Sequence, residues 1–197
     1  MALGSQAFGN IIDEVKQALV SFCVSVKKNP RMTEREVYDN LVKSSFFQKL
    51  DYSEHGRDIR SQTFVQGYAP DYYCLDDFEK TIFVLEGKKP SDEEKTPLES
   101  YKDQQLKNKY VVPLRANFGI LTNGVKFLVY KRVGTSLVSQ LAIPDLERVH
   151  TDEVKQIYEM LKKPLVELTN IEQVIERMKL SQVEPKSLSM EEARSDF

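Results

Sequence analysis

The stretch Pro70-Asp71-Tyr72-Tyr73-Cys74-Leu75-Asp76-Asp77-Phe78-Glu79-Lys80-Thr81-Ile82-Phe83-Val84-Leu85-Glu86-Gly87-Lys88 decides how this chain folds. Two runs in it, Tyr72 to Leu75 and Thr81 to Leu85, are rich in aromatic and β-branched residues, the composition of buried strands. Asp76 to Lys80 is a polar link of hairpin length, so the two runs are expected as antiparallel neighbours. Upstream, Ile59 to Val65 reads as another strand. Downstream, Phe118 to Thr122 and Val125 to Tyr130 flank Asn123-Gly124, a strong short-range hairpin signal. Leu137 to Ile143 supplies a further strand.

Helical patterns surround these runs. From Asn10 to Val26, the residues Ile11, Ile12, Val15, Leu19, Phe22 and Val26 recur at the spacing of one buried helix face, and Asn29-Pro30 ends the pattern. Thr33 and Glu36 stand as the two halves of a capping box, which predicts a second helix running to about Leu50. Pro97 suits the first turn of a polar helix that continues to about Tyr110. Helical pattern returns from about Thr151 to Leu161 and from about Asn170 to Leu180, with Pro164 between them. Hairpins alongside a strand-helix-strand crossover predict an α/β fold with a mixed β-sheet flanked by helices. A single domain is expected over residues 1–180, its core at about 33–143, with 181–197 as a tail.

The composition fits that architecture. The chain has 197 residues, 41% of them hydrophobic and 29% charged, enough for one domain with its own core. No apolar stretch approaches the roughly 20 residues of a membrane span, and the N-terminus lacks the order of a secretory signal, so a cytoplasmic location is expected. Cys23 and Cys74 have no partners at zinc-ligand spacing and read as buried thiols. The net charge of -2 is unevenly spread. Residues 80–132 hold eleven Lys and Arg against six Asp and Glu, while both flanks are acidic. A local face for a polyanion is compatible with that distribution, as are ordinary solvated lysines.

Chemistry concentrates at the ends of the first hairpin. Asp71 opens one strand, and Glu86 and Lys88 close its neighbour, so antiparallel pairing would bring the two carboxylates together. Glu86 and Lys88 are two apart along an extended strand and project from one face. Two carboxylates and the Gly87 carbonyl suit a hard cation such as Mg²⁺, and the adjacent ammonium can orient water or stabilise charge on a phosphorane. The Glu-x-Lys pattern alone carries little, since the chain holds five copies. Only Glu86 follows four strand-forming apolar residues and lies one hairpin after a Pro-Asp pair. The competing structural account is that Asp71 caps a turn while Glu86 and Lys88 are solvated at a strand end.

At Pro70-Asp71 and Glu86-Gly87-Lys88-Lys89-Pro90 the sequence resembles the PD-(D/E)xK nuclease superfamily, most of all the N-terminal domain of type I restriction enzyme R subunits. Thr33-Glu34 with Leu41 looks like the opening helix of that family's core, Phe118 to Gly124 like its late hairpin, and Val125 to Tyr130 like the strand after it. The likeness spans about Thr33 to Arg132. It implies a restriction-endonuclease-like core and a Mg²⁺-dependent endodeoxyribonuclease, with Mn²⁺ as a possible substitute. Asp71 and Glu86 would ligate the metal, Lys88 would be the catalytic lysine, and Glu34 would complete the acidic cluster, with Glu36 as its rival. A catalytic-helix glutamine is also implied, matched by Gln105 or Gln104. That family places it four residues before a tyrosine, whereas Gln105 and Tyr110 are five apart. DNA would be the substrate, and other restriction-modification subunits or domains the partners, with no membrane involved. The alternative is an inactive module of the same fold that grips nucleic acid or a partner protein. No Gly-x-x-x-x-Gly-Lys-Ser/Thr motif is present, so any translocation would belong elsewhere.

Overall fold

The computed structural model describes residues 2–53, 58–61 and 70–164. It is an α/β structure in which one six-stranded mixed sheet, not closed into a barrel, is packed with helices. All the elements described below lie in the unit Met1–Lys163. The expected helix at about Asn170 to Leu180 and the tail from Ser181 lie outside the described residues, as does His55.

Helix α1 (Ala2–Lys28) buries Ile12, Val15, Leu19, Phe22, Cys23 and Val26, the face its periodicity announced. Helix α2 (Glu34–Lys43) starts at the capping box. The Thr33 hydroxyl accepts from the Glu36 amide at 3.3 Å, and the Glu36 carboxylate accepts from the Thr33 amide at 2.7 Å. The helix does not run unbroken to Leu50. Ser45 adopts a left-handed conformation (φ 64°) and splits off the short helix α3 (Phe46–Lys49), which turns Phe46 and Phe47 inward.

The strands are β1 (Ile59–Ser61), β2 (Tyr72–Leu75), β3 (Thr81–Gly87), β4 (Phe118–Thr122), β5 (Phe127–Val133) and β6 (Ser136–Ile143), and they lie in that order across the sheet. The rest of the expected first strand, after Ser61, lies outside the described residues. The β2–β3 hairpin is antiparallel as expected, with Tyr72 opposite Leu85. Strands β3 and β4 pair in parallel, with Leu85 opposite Ile120, which makes the sheet mixed. Strand β3 also continues two residues past its apolar run, so Glu86 and Gly87 stand within the sheet. The β4–β5 turn is longer than two residues. Asn123 Oδ1 accepts from the amides of Val125 and Lys126, and Gly124 takes φ 85°.

Side chains alternate across the sheet and build two cores. Cys74, Phe83, Leu85, Ile120, Phe127 and Val129 face the first core, shared with α1, α2, α3 and helix α4 (Thr151–Leu161). Tyr73, Leu75, Val84, Leu121, Leu128 and Tyr130 face the second. That side is covered by the crossover between β3 and β4, which contains a 3₁₀ turn (Leu98–Ser100) and a π-helix (Lys102–Val111). Pro97 caps the 3₁₀ turn instead of entering the helix. Tyr73 is core, and Tyr72 is half-buried against Tyr38 and Phe47. Both cysteines are buried and free. At its margins the sheet ends in β1, three residues long with Arg60 paired to Glu79, and in β6, eight residues long without a charge. Among the described residues, no helix is long and apolar enough to cross a membrane.

Candidate metal and catalytic centre

Strand β3 positions the centre of the site. Alternation sends Glu86 to the same side as Val84, under the π-helix, and Gly87 to the side of α2. Extending the β2–β3 register by one residue places Asp71 directly across from Glu86. The Asp71 carboxylate is anchored there, because Oδ2 accepts from the Gly87 amide at 2.6 Å. Lys88 continues the parallel ladder through its amide, which donates to the Thr122 carbonyl at 2.8 Å. The hairpin thus assembles Asp71, Glu86 and Lys88 as the sequence suggests.

Two helices reach this strand end from opposite sides. From α2, Glu34 Oε1 accepts from Lys88 Nζ at 2.8 Å, and Glu86 Oε1 accepts from the same nitrogen at 2.8 Å. From the π-helix, Gln105 Nε2 donates to Glu86 Oε1. Gln104 is exposed while Gln105 reaches the cluster, and Glu36 is committed to its capping box while Glu34 pairs with Lys88. Tyr101 covers Lys88, its ring centroid 4.9 Å from Nζ.

The five-residue interval between Gln105 and Tyr110 has a structural explanation. In an α-helix these two would lie roughly 140° apart around the axis. The crossover helix instead makes i→i+5 hydrogen bonds, one of them from the Val112 amide to the Lys107 carbonyl. Residues five apart then share a face, and Tyr110, whose pKa burial raises, has the Gln105 amide near enough to oppose that rise. Leu106 and Val111, another such pair, both rest on Gly119 of β4. A methyl group there would come within 2.9 Å of Leu106 and 2.6 Å of Val111.

Burial and charge set the electrostatics. Glu86 and Lys88 are only 4% and 5% exposed. Burial and the Glu86 charge push the Asp71 carboxyl up to about 7, against the Gly87 amide and the Lys88 ammonium. Burial also raises Glu86, with Lys88 opposing it. Lys88 would be lowered by burial, but Glu86 and Glu34 outweigh that and hold it at about 12. The lysine is therefore an ammonium throughout the neutral range. Within this cluster, Glu86 Oε2 is buried and has no hydrogen-bond partner at normal distance among the described residues, while the Asp71 backbone amide lies near enough to help lower the carboxylate.

A buried carboxylate oxygen without a hydrogen-bond partner, beside a carboxyl held above its usual range, is a pair of oxygen donors with room for a further partner. Oxygen donors from Asp71 and Glu86 with a strand carbonyl fit a hard ion such as Mg²⁺, which commonly takes one or two carboxylates and keeps several waters. The expected third ligand does not join them in this arrangement. Among the described residues, no group of three or more His, Cys, Asp and Glu side chains is gathered to hold a metal. Glu34 is drawn to Lys88 and acts as its tether, because an ammonium placed between two carboxylates claims an oxygen from each.

Four of the eleven basic residues of the central segment, Lys88, Lys107, Lys126 and Arg132, have ion-pair or hydrogen-bond partners among the described residues. Lys126 pairs with Glu93 and Glu99, which ties the loop after Lys88 to the β4–β5 turn. Arg132 donates to the carbonyls of Ala116, Arg115 and Gly134, and Lys107 pairs with Asp103. His150 precedes α4, where its amide donates to Glu153. Sequence reasoning singled out Tyr110 only for its spacing and passed over Tyr101. A tyrosine four residues before Gln105 was the available signal for the second. Comparisons of the chain with protein-family models, with curated proteins and with solved structures find no match.

Proposed function

We propose that this chain is a divalent-metal-dependent endodeoxyribonuclease of the PD-(D/E)xK kind, with a restriction-endonuclease-like core related to type I restriction enzyme R subunits. The observation that carries this reading is Glu86 Oε2, buried opposite Asp71 without a hydrogen-bond partner among the described residues, with the Lys88 ammonium on the other oxygen of the same carboxylate. A structural ion pair has no use for an orphaned oxygen, whereas a metal ligand does. Asp71 and Glu86 hold Mg²⁺ or Mn²⁺ in this reading. The bound ion would polarise the scissile phosphate and acidify a coordinated water.

The chain's own residues do the rest. Gln105 and Lys88 hold Glu86 by one oxygen and so orient the other. Lys88, permanently charged, orients the attacking water and stabilises the negative charge that develops on the phosphate. Glu34 keeps the lysine in reach from the far side. DNA phosphates beside the site would meet Lys102, which follows Tyr101 at the start of the crossover helix, a contact that carries no sequence information. Restriction-modification subunits or domains are the partners this reading implies, in the cytoplasm where such DNA lies.

A second reading, a non-cutting module of the same fold, is favoured by one observation: Lys88 is already bound by two carboxylates. Nicking of supercoiled plasmid in Mg²⁺ separates the two. Wild type is expected to nick and Lys88→Ala to lose at least a hundredfold. A wild-type protein as inert as Lys88→Ala, in Mg²⁺ and in Mn²⁺, establishes the binding module instead.

A further inference from the structure

Among the described residues, three aromatic rings carry a lysine over their face, and one differs from the others in kind. Lys102 over Tyr130 and Lys162 over Tyr158 are cations with access to water, at 5.7 and 5.4 Å. Lys88 over Tyr101 is closer, at 4.9 Å, and its side chain is almost wholly withdrawn from solvent. An ammonium stripped of water gains far more from a ring's negative face than a hydrated one does. Two of its three donors go to Glu34 and Glu86, leaving the nitrogen held by carboxylates on two sides and by the ring on another.

Tyr101 is itself well fixed. It follows the 3₁₀ turn that buries Leu98, its amide donates to carbonyls of that turn, and its ring packs against the second core. It stands four residues before Gln105 and immediately before the π-helix, so one helix start delivers the ring to Lys88 and the amide to Glu86. A lysine has four rotatable side-chain bonds, and two carboxylates alone leave it free to follow either partner. A ring over the nitrogen removes that choice.

We propose that Tyr101 is a positioning residue that clamps the Lys88 ammonium against Glu86, in the reading that makes Lys88 catalytic. The ring does the work and the hydroxyl does not. It acts through Lys88 and touches no reacting atom, so its loss should slow turnover without weakening the binding of DNA.

The test compares Tyr101→Phe, which keeps the ring face, with Tyr101→Leu, which keeps bulk and loses it. Two measurements are made on protein whose melting temperature matches wild type. The first is the rate at which Lys88 is acetylated by acetic anhydride without substrate, read by peptide mass spectrometry with Lys102 and Lys162 as internal controls. The second is kcat and KM for plasmid nicking in Mg²⁺. Tyr101→Phe should stay within about twofold of wild type in both. Tyr101→Leu should acetylate Lys88 at least fivefold faster and lose roughly tenfold in kcat at unchanged KM. Wild-type acetylation of Lys88 in Tyr101→Leu overturns the clamp, as does a Tyr101→Phe variant that behaves like Tyr101→Leu. An inactive wild type whose Tyr101→Leu variant still exposes Lys88 removes the nuclease reading and leaves the clamp standing, so the two failures are distinguishable.

Discussion

Glu86 divides its labour by oxygen: Oε1 takes the Lys88 ammonium and the Gln105 amide, while Oε2 has no hydrogen-bond partner among the described residues. Across from it Asp71 is a carboxyl that burial and the Glu86 charge hold at about 7. A carboxyl raised above its usual value binds more protons in the folded than in the unfolded chain between the two values, so stability falls as pH rises through that window. The metal-free protein should accordingly lose stability between about pH 4 and pH 7, at no more than roughly 1.4 kcal/mol per pH unit for each titrating group. Asp71 and Glu86 titrate as a pair, so the slope belongs to both. Urea unfolding at several pH values, in wild type and in Asp71→Asn, measures it. The variant should flatten the slope, and an equal slope in both would remove Asp71 as its source.

At the scale of elements, the crossover helix shows what the sequence conveyed and what it concealed. Strand runs, the capping box at Thr33 and the polar link at Asp76 to Lys80 are local signals, and each appears in the structure where its residues stand. The π-helix gives no such signal, because its defining interval is a misfit to the 3.6-residue period by which helices are recognised. The break at Ser45 was equally silent, since a left-handed serine carries no glycine or proline to announce it. The site was legible where it follows from a hairpin, as with Asp71, Glu86 and Lys88. Glu34 and Gln105 arrive from elements distant in sequence, and no local pattern contains them; resemblance alone pointed there. What seats the π-helix is Gly119, where a methyl group would meet both Leu106 and Val111. Gly119→Ala is therefore expected to cost about 1–3 kcal/mol by overpacking and to displace Gln105 from Glu86. Denaturant unfolding gives the first and plasmid nicking the second. An alanine variant with wild-type stability would mean that the helix has slack.

For the molecule as a whole, the centre exists only when the sheet and both helical layers are in place. The hairpin supplies Asp71 and Glu86, one layer supplies Glu34, and the other supplies Tyr101 and Gln105. An ion that binds this arrangement and not the unfolded chain must raise the melting temperature, with about 2.7 kcal/mol available at a hundredfold excess over its Kd. Thermal melts in Mg²⁺ and Mn²⁺ should move upward for wild type and stay put for a double variant of Asp71→Asn and Glu86→Gln. A rise of equal size in both would place the ion elsewhere.

The two borders of the sheet are unlike. The described part of the β1 border carries Arg60, whereas β6 runs for eight residues without a charge and leaves Val138 in the open. Charges on a border strand are what keep one molecule from stitching itself to the next. β6 carries none, so among the described residues this flank of the sheet lacks the side-chain barrier that Arg60 gives the other.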